Sequence, residues 1–230
     1  MPQALVTGAN RGLGLELTRQ LLARGDRVIA TCRQPGRALE LTRLAGEHPG
    51  HLAVHPLTLP DTRSIADLVR AVEAQDVRID LLVNNAGMLV TGERFGGIES
   101  KSLRESFASN AEGPFLLTQA LAPNLADRAR VVNISTGLGS IASTDSLYSP
   151  SYAISKAALN MATRLLSIAL DEHGIIVVAL SPGWVRTDMG GSGASLTPAA
   201  SVAAMLGVID GLKEGDSGQF FAQTGATMPW

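Results

Sequence analysis

The sequence predicts an α/β protein built on one doubly wound parallel sheet of about seven strands, with helices on both faces. Short apolar runs alternate with helical segments along the whole chain, which is typical of a parallel sheet with crossover helices. One run, residues 175–180, is continuously apolar, as a strand buried on both faces should be. No linker, repeat or second composition block interrupts residues 1–230, so we expect a single domain.

Composition excludes several classes of function. Hydrophobic residues make up 45% and charged residues 17% of the chain, which describes a well-packed globule. A net charge of -2 leaves no broad basic field, so we expect no nucleic acid partner. The single cysteine, Cys32, excludes an internal disulfide and a multi-cysteine metal site, and we expect no metal. Without a signal peptide or an apolar run of about 20 residues, we expect a cytoplasmic protein that does not enter a membrane.

The first strand and helix surround a glycine-rich turn. Residues 4–6 predict a short strand, and the turn after it contains Gly8, Gly12 and Gly14. Leucines then recur at helical spacing as far as Gly25. Glycines allow the backbone to approach a pyrophosphate, and a helix N-terminus attracts its charge. The turn therefore predicts a dinucleotide site, with an ordinary glycine-rich turn as the alternative.

The end of the second predicted strand bears on the choice between NAD and NADP. In dinucleotide-binding folds an acidic residue there accepts hydrogen bonds from the adenosine ribose and repels a 2′-phosphate. Here residues 27–33 end in Cys32 and Arg33, and the next acidic residue is Glu40. Arg33 can pair with a phosphate, and Arg11 in the glycine turn is a second candidate. We therefore predict NADP(H) in preference to NAD(H), with solvated surface arginines as the alternative.

The middle of the chain continues the alternation of strands and helices. Residues 51–57 and 79–83 predict the third and fourth strands, and Thr62 is the predicted N-cap of the helix between them. A helix is expected over roughly residues 102–124. Asn110 lies inside it, although asparagine competes for backbone hydrogen bonds and is unfavourable in mid-helix. This position predicts a local break or a functional task.

The last third of the chain contains the residues with the clearest chemical potential. The fifth predicted strand, residues 130–134, leads to two hydroxyl-bearing residues, and a helix opening at Pro150 follows a flexible loop. Residues 188–195 contain three glycines and are predicted to form a mobile flap. A helix around residues 198–212 and a strand near residues 219–221 complete the predicted fold.

Tyr152 and Lys156 are the central pair in this region. Four residues apart on a helix, they face the same side and lie within reach of each other. A neighbouring ammonium favours the phenolate, so we expect Lys156 to lower the pKa of Tyr152 and make it an acid or base near neutral pH. The same spacing is common on surface helices, so the surrounding motifs decide the interpretation.

These motifs resemble those of the short-chain dehydrogenase/reductase family over essentially the whole chain. The glycine turn, the Asn84–Gly87 turn, the tetrad of Asn110, a hydroxyl pair, Tyr152 and Lys156, and the loop at residues 182–187 all match in order. Residues 110–115 and 183–191 are most similar to the sniffer-type and C-factor-type carbonyl reductases.

The resemblance implies a Rossmann-type fold and reduction of an aldehyde, ketone or quinone by NADP(H). Tyr152 would be the general acid, Lys156 would bind the nicotinamide ribose, and Asn110 would hold a water. The family's catalytic serine position is occupied by Thr136, with Ser135 as the fallback. The implied cofactor-binding residues are Gly8, Asn10, Arg11, Gly12, Leu13, Gly14, Arg33, Thr58, Leu59, Asn85, Ala86, Gly87, Tyr152, Lys156, Pro182, Gly183, Val185 and Thr187.

A second departure and two alternative functions accompany this interpretation. Thr58 stands where the family usually has an aspartate that contacts adenine, so the backbone of Leu59 is a candidate for that contact. An NAD-dependent alcohol dehydrogenase and a catalytically idle NADP-binding sensor are the alternative functions. The resemblance also implies a homodimer or a homotetramer.

Overall fold

The computed structural model describes residues 1–230, and its seven strands form one parallel sheet. The strands are β1 (Gln3–Thr7), β2 (Arg27–Cys32), β3 (Leu52–Pro56), β4 (Ile79–Asn84), β5 (Leu125–Ile134), β6 (Ile176–Ser181) and β7 (Phe220–Ala222). Their order in the sheet is β3-β2-β1-β4-β5-β6-β7. The order reverses between β1 and β4, and ligands of such sheets bind outside the carboxyl ends of the strands at this point. The predicted fold class is confirmed.

Helices cover both faces of the sheet. They are α1 (Gly12–Ala23), α2 (Leu39–Glu47), α3 (Thr62–Glu73), α4 (Ser100–Phe107), α5 (Gly113–Leu121), α6 (Pro150–Ala169) and α7 (Pro198–Gly211). Because side chains alternate along a strand, β1 directs Ala4 and Val6 to one face and Leu5 to the other. The first face packs against α1, α2 and α7, and the second packs against α3, α5 and α6.

The long helix predicted over residues 102–124 is interrupted at the expected place. Between α4 and α5 the chain forms a π-helical segment, Ala108–Glu112, with Asn110 at its centre. Such segments insert one extra residue into a helix and redirect the side chains there. The predicted local break at Asn110 is therefore confirmed.

Two local predictions differ from the structure, and one helix was not predicted. Asp61, and not Thr62, caps α3, because its carboxylate accepts the N–H groups of Arg63 and Ser64 at 2.9 and 3.3 Å. Strand β5 begins at Leu125, five residues before the predicted start, and its pairing with β4 is irregular at this early end. Helix α2 was not predicted, although its buried Leu41 and Leu44 have helical spacing.

The outer surface of α6 is apolar along one side. Ile154, Met161, Leu165 and Ile168 are all more than half exposed. The homodimer or homotetramer expected from the sequence stays a prediction.

No helix in the structure combines the length and the apolar character that crossing a bilayer requires.

Candidate active site

The glycine turn at the end of β1 has the geometry of a backbone cradle. Gly8 and Gly12 adopt φ values of +65° and +54°, which other residues rarely adopt. A Cβ on Gly14 would overlap the carbonyl oxygen of Gly8. Arg11, the N-cap of α1, makes no capping bond with its side chain, so no side chain there covers the first N–H groups of the helix. Such N–H groups are suited to a phosphate, and the turn fits the predicted dinucleotide.

The turn after β4 holds this cradle in shape. The hydroxyl of Thr7 accepts the backbone N–H groups of Asn85 and Ala86 at 3.0 and 2.9 Å. The side-chain amide of Asn85 donates to the carbonyl oxygen of Thr7 at 2.9 Å. A Cβ on Gly8 would lie 2.9 Å from the Cα of Ala86. Asn85 thus shapes the predicted cofactor site by binding the end of β1, a role that the sequence alone did not specify.

The two arginines predicted to pair with a 2′-phosphate differ in their surroundings. Arg33 is exposed at the end of β2 and makes no ion pair or side-chain hydrogen bond in the chain. Arg11 forms an ion pair with Asp188, with 2.8 Å between Nη1 and Oδ2, and both side chains are largely exposed. Arg37, four residues after Arg33, is likewise exposed and without an ion pair. Sequence analysis did not single out Arg37 or the pairing of Arg11.

The residues after β3 leave polar groups for an adenine contact. Thr58 is exposed, and its backbone N–H donates to the hydroxyl of Ser64 at 2.9 Å. Leu59 is half-buried and packs against Gly113, where a Cβ would lie 2.8 Å from that of Leu59. The N–H of Leu59 makes no backbone hydrogen bond within the chain. This is compatible with the backbone contact expected of Leu59.

Helix α6 brings Tyr152 and Lys156 to the carboxyl edge of the sheet. Lys156 is buried, and its ammonium donates to the carbonyl oxygen of Ile134 at 2.7 Å. The Nζ atom lies 5.7 Å from the centroid of the Tyr152 ring. Burial lowers the pKa of Lys156 to about 8 and raises the pKa of Tyr152 to about 12.

The expected direction of the pKa shift of Tyr152 is therefore wrong for this arrangement. Tyr152 is half-buried, and desolvation penalises the charged form of its phenol and raises its pKa. The ammonium that was expected to oppose this effect is directed at the Ile134 carbonyl and makes no hydrogen bond with the phenol. Tyr152 consequently keeps its proton at neutral pH, which suits an acid better than a base.

The two candidate hydroxyls after β5 differ in their hydrogen bonds. Ser135 is buried, and its hydroxyl donates to the Oδ1 of Asn160 at 2.7 Å. Thr136 is half-buried, and its Oγ1 accepts the N–H of Leu138 at 3.3 Å. A hydroxyl has one hydrogen to donate. The hydroxyl of Ser135 already donates to Asn160, whereas the hydroxyl of Thr136 donates to no group in the chain. Only Thr136 can donate to a ligand without breaking an existing bond.

Asn110 links the turn after β4 to α6. It is fully buried; its Oδ1 accepts the N–H of Met88, and its Nδ2 donates to the Met88 carbonyl, both at 2.8 Å. Nδ2 also donates to the hydroxyl of Ser155 at 2.9 Å. Both N–H groups of the amide are thus committed within the protein. The side chain thereby ties α6 to the turn after β4, close to Gly87 and Lys156, and the water expected at Asn110 stays a prediction.

The loop after β6 folds back towards the glycine turn. Gly183 has a φ of +77°, and a Cβ there would lie 2.7 Å from Leu196. The carbonyl of Pro182 accepts the hydroxyl of Ser201 at 2.7 Å, and Val185 is buried. A Cβ on Gly12 would lie 3.5 Å from the methyl group of Thr187. The predicted loop residues therefore adjoin the cradle.

Hydrogen bonds of the flanking residues close the base of the segment predicted as a flap, residues 188–195. Leu196 and Trp184 are joined by a backbone N–H to carbonyl bond of 3.0 Å, and Leu196 also accepts the N–H of Arg186 at 2.9 Å. The indole of Trp184 donates to the carbonyl of Gly190 at 2.8 Å. The segment is a closed loop, and its motion stays a prediction.

The contacts above link the glycine turn to the turn after β4 and to Thr187, and they link Gly87 to Asn110 and Lys156. These groups lie at the carboxyl ends of β1, β4, β5 and β6. A surface depression at the opposite edge, near Asp127 and Glu214, contains none of these groups. The candidate site is therefore identified by its chemical groups and their contacts, and not by a depression in the surface.

Comparison with known proteins agrees with this geometry. The family model of the short chain dehydrogenases matches residues 2–195. The C-signal protein of Myxococcus xanthus is 42% identical over 154 residues, covering 66% of this chain and 93% of that protein. The NADPH-bound carbonyl reductase from chicken fatty liver superposes with a TM-score of 0.93 and 40% identity, covering 100% of this chain and 99% of that one. The carbonyl reductase Sniffer of D. melanogaster has a TM-score of 0.96 and 34% identity, covering both chains completely. The chain belongs to the short-chain dehydrogenase family.

Proposed function

We propose that this protein is an NADP(H)-dependent reductase that converts an aldehyde, ketone or quinone into an alcohol. The observation that carries the proposal is the pairing of two proton donors at one edge of the sheet. Tyr152 retains its phenol proton because its pKa is raised to about 12, and Thr136 has a free hydroxyl hydrogen. Two donors beside a nucleotide cradle can receive the oxygen of a carbonyl as negative charge develops on it.

In the proposed mechanism the residues of this chain manage the proton and the charge. When bound, the reduced nicotinamide cofactor supplies the hydride. The phenol of Tyr152 gives its proton to the carbonyl oxygen, whose former π electrons form the new O–H bond. Thr136 donates a hydrogen bond to the same oxygen. The resulting phenolate regains its proton from solvent, and Lys156 lies near the Tyr152 ring with its ammonium bound to the Ile134 carbonyl.

The raised pKa of Tyr152 fits the acid that carbonyl reduction requires. An alcohol dehydrogenase needs a base to accept the hydroxyl proton, and a phenol with a pKa of about 12 is rarely ionised near neutral pH. A carbonyl reductase needs an acid, which is the form that Tyr152 holds here. The protonated phenol therefore fits the step in which a carbonyl oxygen receives a proton.

The choice of NADP(H) depends on the charge at the end of β2. Arg33 and Arg37 are exposed guanidinium groups without ion pairs, and no acidic residue lies between the end of β2 and Glu40. Guanidinium groups suit a 2′-phosphate, and a carboxylate at this place would repel it. The glycine turn would hold the pyrophosphate, and Lys156 would hold the nicotinamide ribose. The NADPH in the chicken carbonyl reductase supports this preference.

The decisive experiment compares Tyr152→Phe with Tyr148→Phe, which replaces the only other tyrosine of the chain. Consumption of NADPH is measured with a panel of aldehydes, ketones and quinones, and NADPH binding is measured by fluorescence. We expect Tyr152→Phe to lose about 10²- to 10⁴-fold in kcat while still binding NADPH. Tyr148 is 61% exposed, and Tyr148→Phe should behave as wild type.

Two results would contradict the proposal. Turnover by Tyr152→Phe at a near wild-type rate would remove the tyrosine from the mechanism. Tight NADPH binding by the wild type, with no carbonyl consumed across the panel, would favour a cofactor-binding sensor.

A further inference from the structure

Helix α6 begins without a side-chain cap of its own, although it carries the proposed acid in its first turn. Its N-cap, Ser149, has a left-handed backbone with φ of 43° and ψ of 61° and makes no capping hydrogen bond. Pro150, Ser151 and Tyr152 follow as the first three helical residues. The first N–H groups of a helix lack partners within the helix, and an uncapped first turn frays. Tyr152 therefore occupies a position that depends on outside support.

Glu93 supplies this support from a distant part of the chain. It lies between β4 and α4, 58 residues before Ser151. Its Oε2 accepts both the backbone N–H and the hydroxyl of Ser151, at 3.1 and 2.8 Å. A carboxylate at this end of a helix also interacts favourably with the helix dipole. The residue next to Tyr152 is thus held by two charge-assisted hydrogen bonds.

The second carboxylate oxygen of Glu93 indicates that this side chain is not simply a hydrated surface group. Oε1 is buried and has no hydrogen-bond partner in the chain. Leaving a carboxylate oxygen without water or a donor is unfavourable. A surface glutamate with no task would turn outward and hydrate both oxygens. The buried orientation therefore points to a requirement for the bonds to Ser151.

We propose that Glu93 is a positioning residue that holds the phenol of Tyr152 in place for proton transfer by capping the first turn of α6. The inference rests on the proposed function of Tyr152 as the acid. Its effect is confined to the start of the helix. Lys156, one turn later, is held by its own bond to Ile134, and Ser155 is held by Asn110.

This separation predicts a specific kinetic pattern. Loss of Glu93 should displace the acid without displacing the lysine expected to bind the cofactor. Misplacement of a reacting group by about 1 Å can cost on the order of 10²-fold in rate. We therefore expect kcat to fall while the Kd for NADPH stays unchanged. A general loss of stability would weaken both.

The experiment uses the full chain and four variants. Glu93→Ala removes the cap, Glu93→Asp keeps the charge but shortens the reach, and Glu93→Gln keeps an oxygen that can accept from Ser151. Glu99→Ala is the matched control, because this glutamate lies in the same connection, is exposed and makes no capping bond. We expect a loss in kcat of about 10-fold or more for the alanine and aspartate variants. The glutamine variant should recover most of the activity, and the control should match wild type.

A second measurement does not depend on turnover. The chain has only two tyrosines, so ring-labelled tyrosine gives separate NMR signals for Tyr148 and Tyr152. In Glu93→Ala the Tyr152 signal should shift or broaden, and the Tyr148 signal should not. An unchanged Tyr152 signal, or a kcat within twofold of wild type in folded Glu93→Ala, would overturn the inference. If the wild type reduces no carbonyl, the proposed function fails, and the NMR comparison still decides whether Glu93 positions Tyr152.

Discussion

The two adjacent hydroxyls after β5 lead to a sharp prediction, because the structure gives them different hydrogen-bond partners. Ser135 donates its only hydrogen to Asn160 at 2.7 Å, and the Thr136 hydroxyl hydrogen is free. Removing a hydrogen-bond donor to a developing oxyanion costs about 10²- to 10³-fold in kcat. We therefore expect this loss for Thr136→Ala and little change in kcat for Ser135→Ala.

The same comparison predicts the opposite order for stability. Ser135→Ala leaves Oδ1 of Asn160 without its donor in a site where both residues are at most 4% exposed. An unsatisfied buried acceptor costs about 1–3 kcal/mol of unfolding free energy. Thr136 is half-buried and caps only a short 3₁₀ turn through Leu138, so its replacement should cost less.

Steady-state NADPH oxidation and urea denaturation together test both effects. Thr136→Ser retains the hydroxyl and is expected to restore kcat to near the wild-type value. The reasoning is refuted if Ser135→Ala loses activity and Thr136→Ala does not, because Ser135 would then have to break its bond to Asn160 in order to act.

Two further predictions concern cofactor choice and pH. Arg33→Asp removes a phosphate partner and adds a repelling charge, so the ratio of kcat/KM for NADPH to that for NADH should fall by about 100-fold or more; equal use of both cofactors by the wild type contradicts the argument. Burial lowers the pKa of Lys156 from 10.5 to about 8, so between these values the unfolded chain binds more protons than the folded chain. The unfolding free energy without cofactor should therefore rise with pH in this window, by up to about 3 kcal/mol relative to Lys156→Met. A difference between the two proteins that does not vary with pH would show that Lys156 is not desolvated.

The local chemistry of the glycine turn and of Asn110 was readable from the sequence. Gly8, Gly12 and Gly14 are required by backbone angles or close approach within a few residues of chain, and such constraints leave a clear pattern. Asn110 was expected to interrupt a helix because its side chain competes for backbone bonds, and the π-helical segment forms there. The division of residues 1–230 into a single domain stays a prediction.

Predictions that required partners distant in the chain were incomplete. Sequence analysis expected Lys156 to lower the pKa of Tyr152, because spacing on a helix reveals proximity but not direction. The ammonium instead donates to Ile134, which lies 22 residues away in sequence. Helix α2 was missed although Leu41 and Leu44 carry its pattern, because the segment is short and no apolar contact partner is visible in sequence.

By itself the sequence determined the α/β fold, the family and the types of residue that gather at the carboxyl edge of the sheet. These follow from periodicity, glycine positions and side-chain chemistry, which are properties of local stretches of chain. Only the tertiary structure decided how each group is used. Asn160 occupies the hydroxyl of Ser135 and leaves that of Thr136 free, and Glu93 caps the helix that carries Tyr152. A hydrogen bond depends on which distant group reaches the same atom, and folding alone brings those groups together.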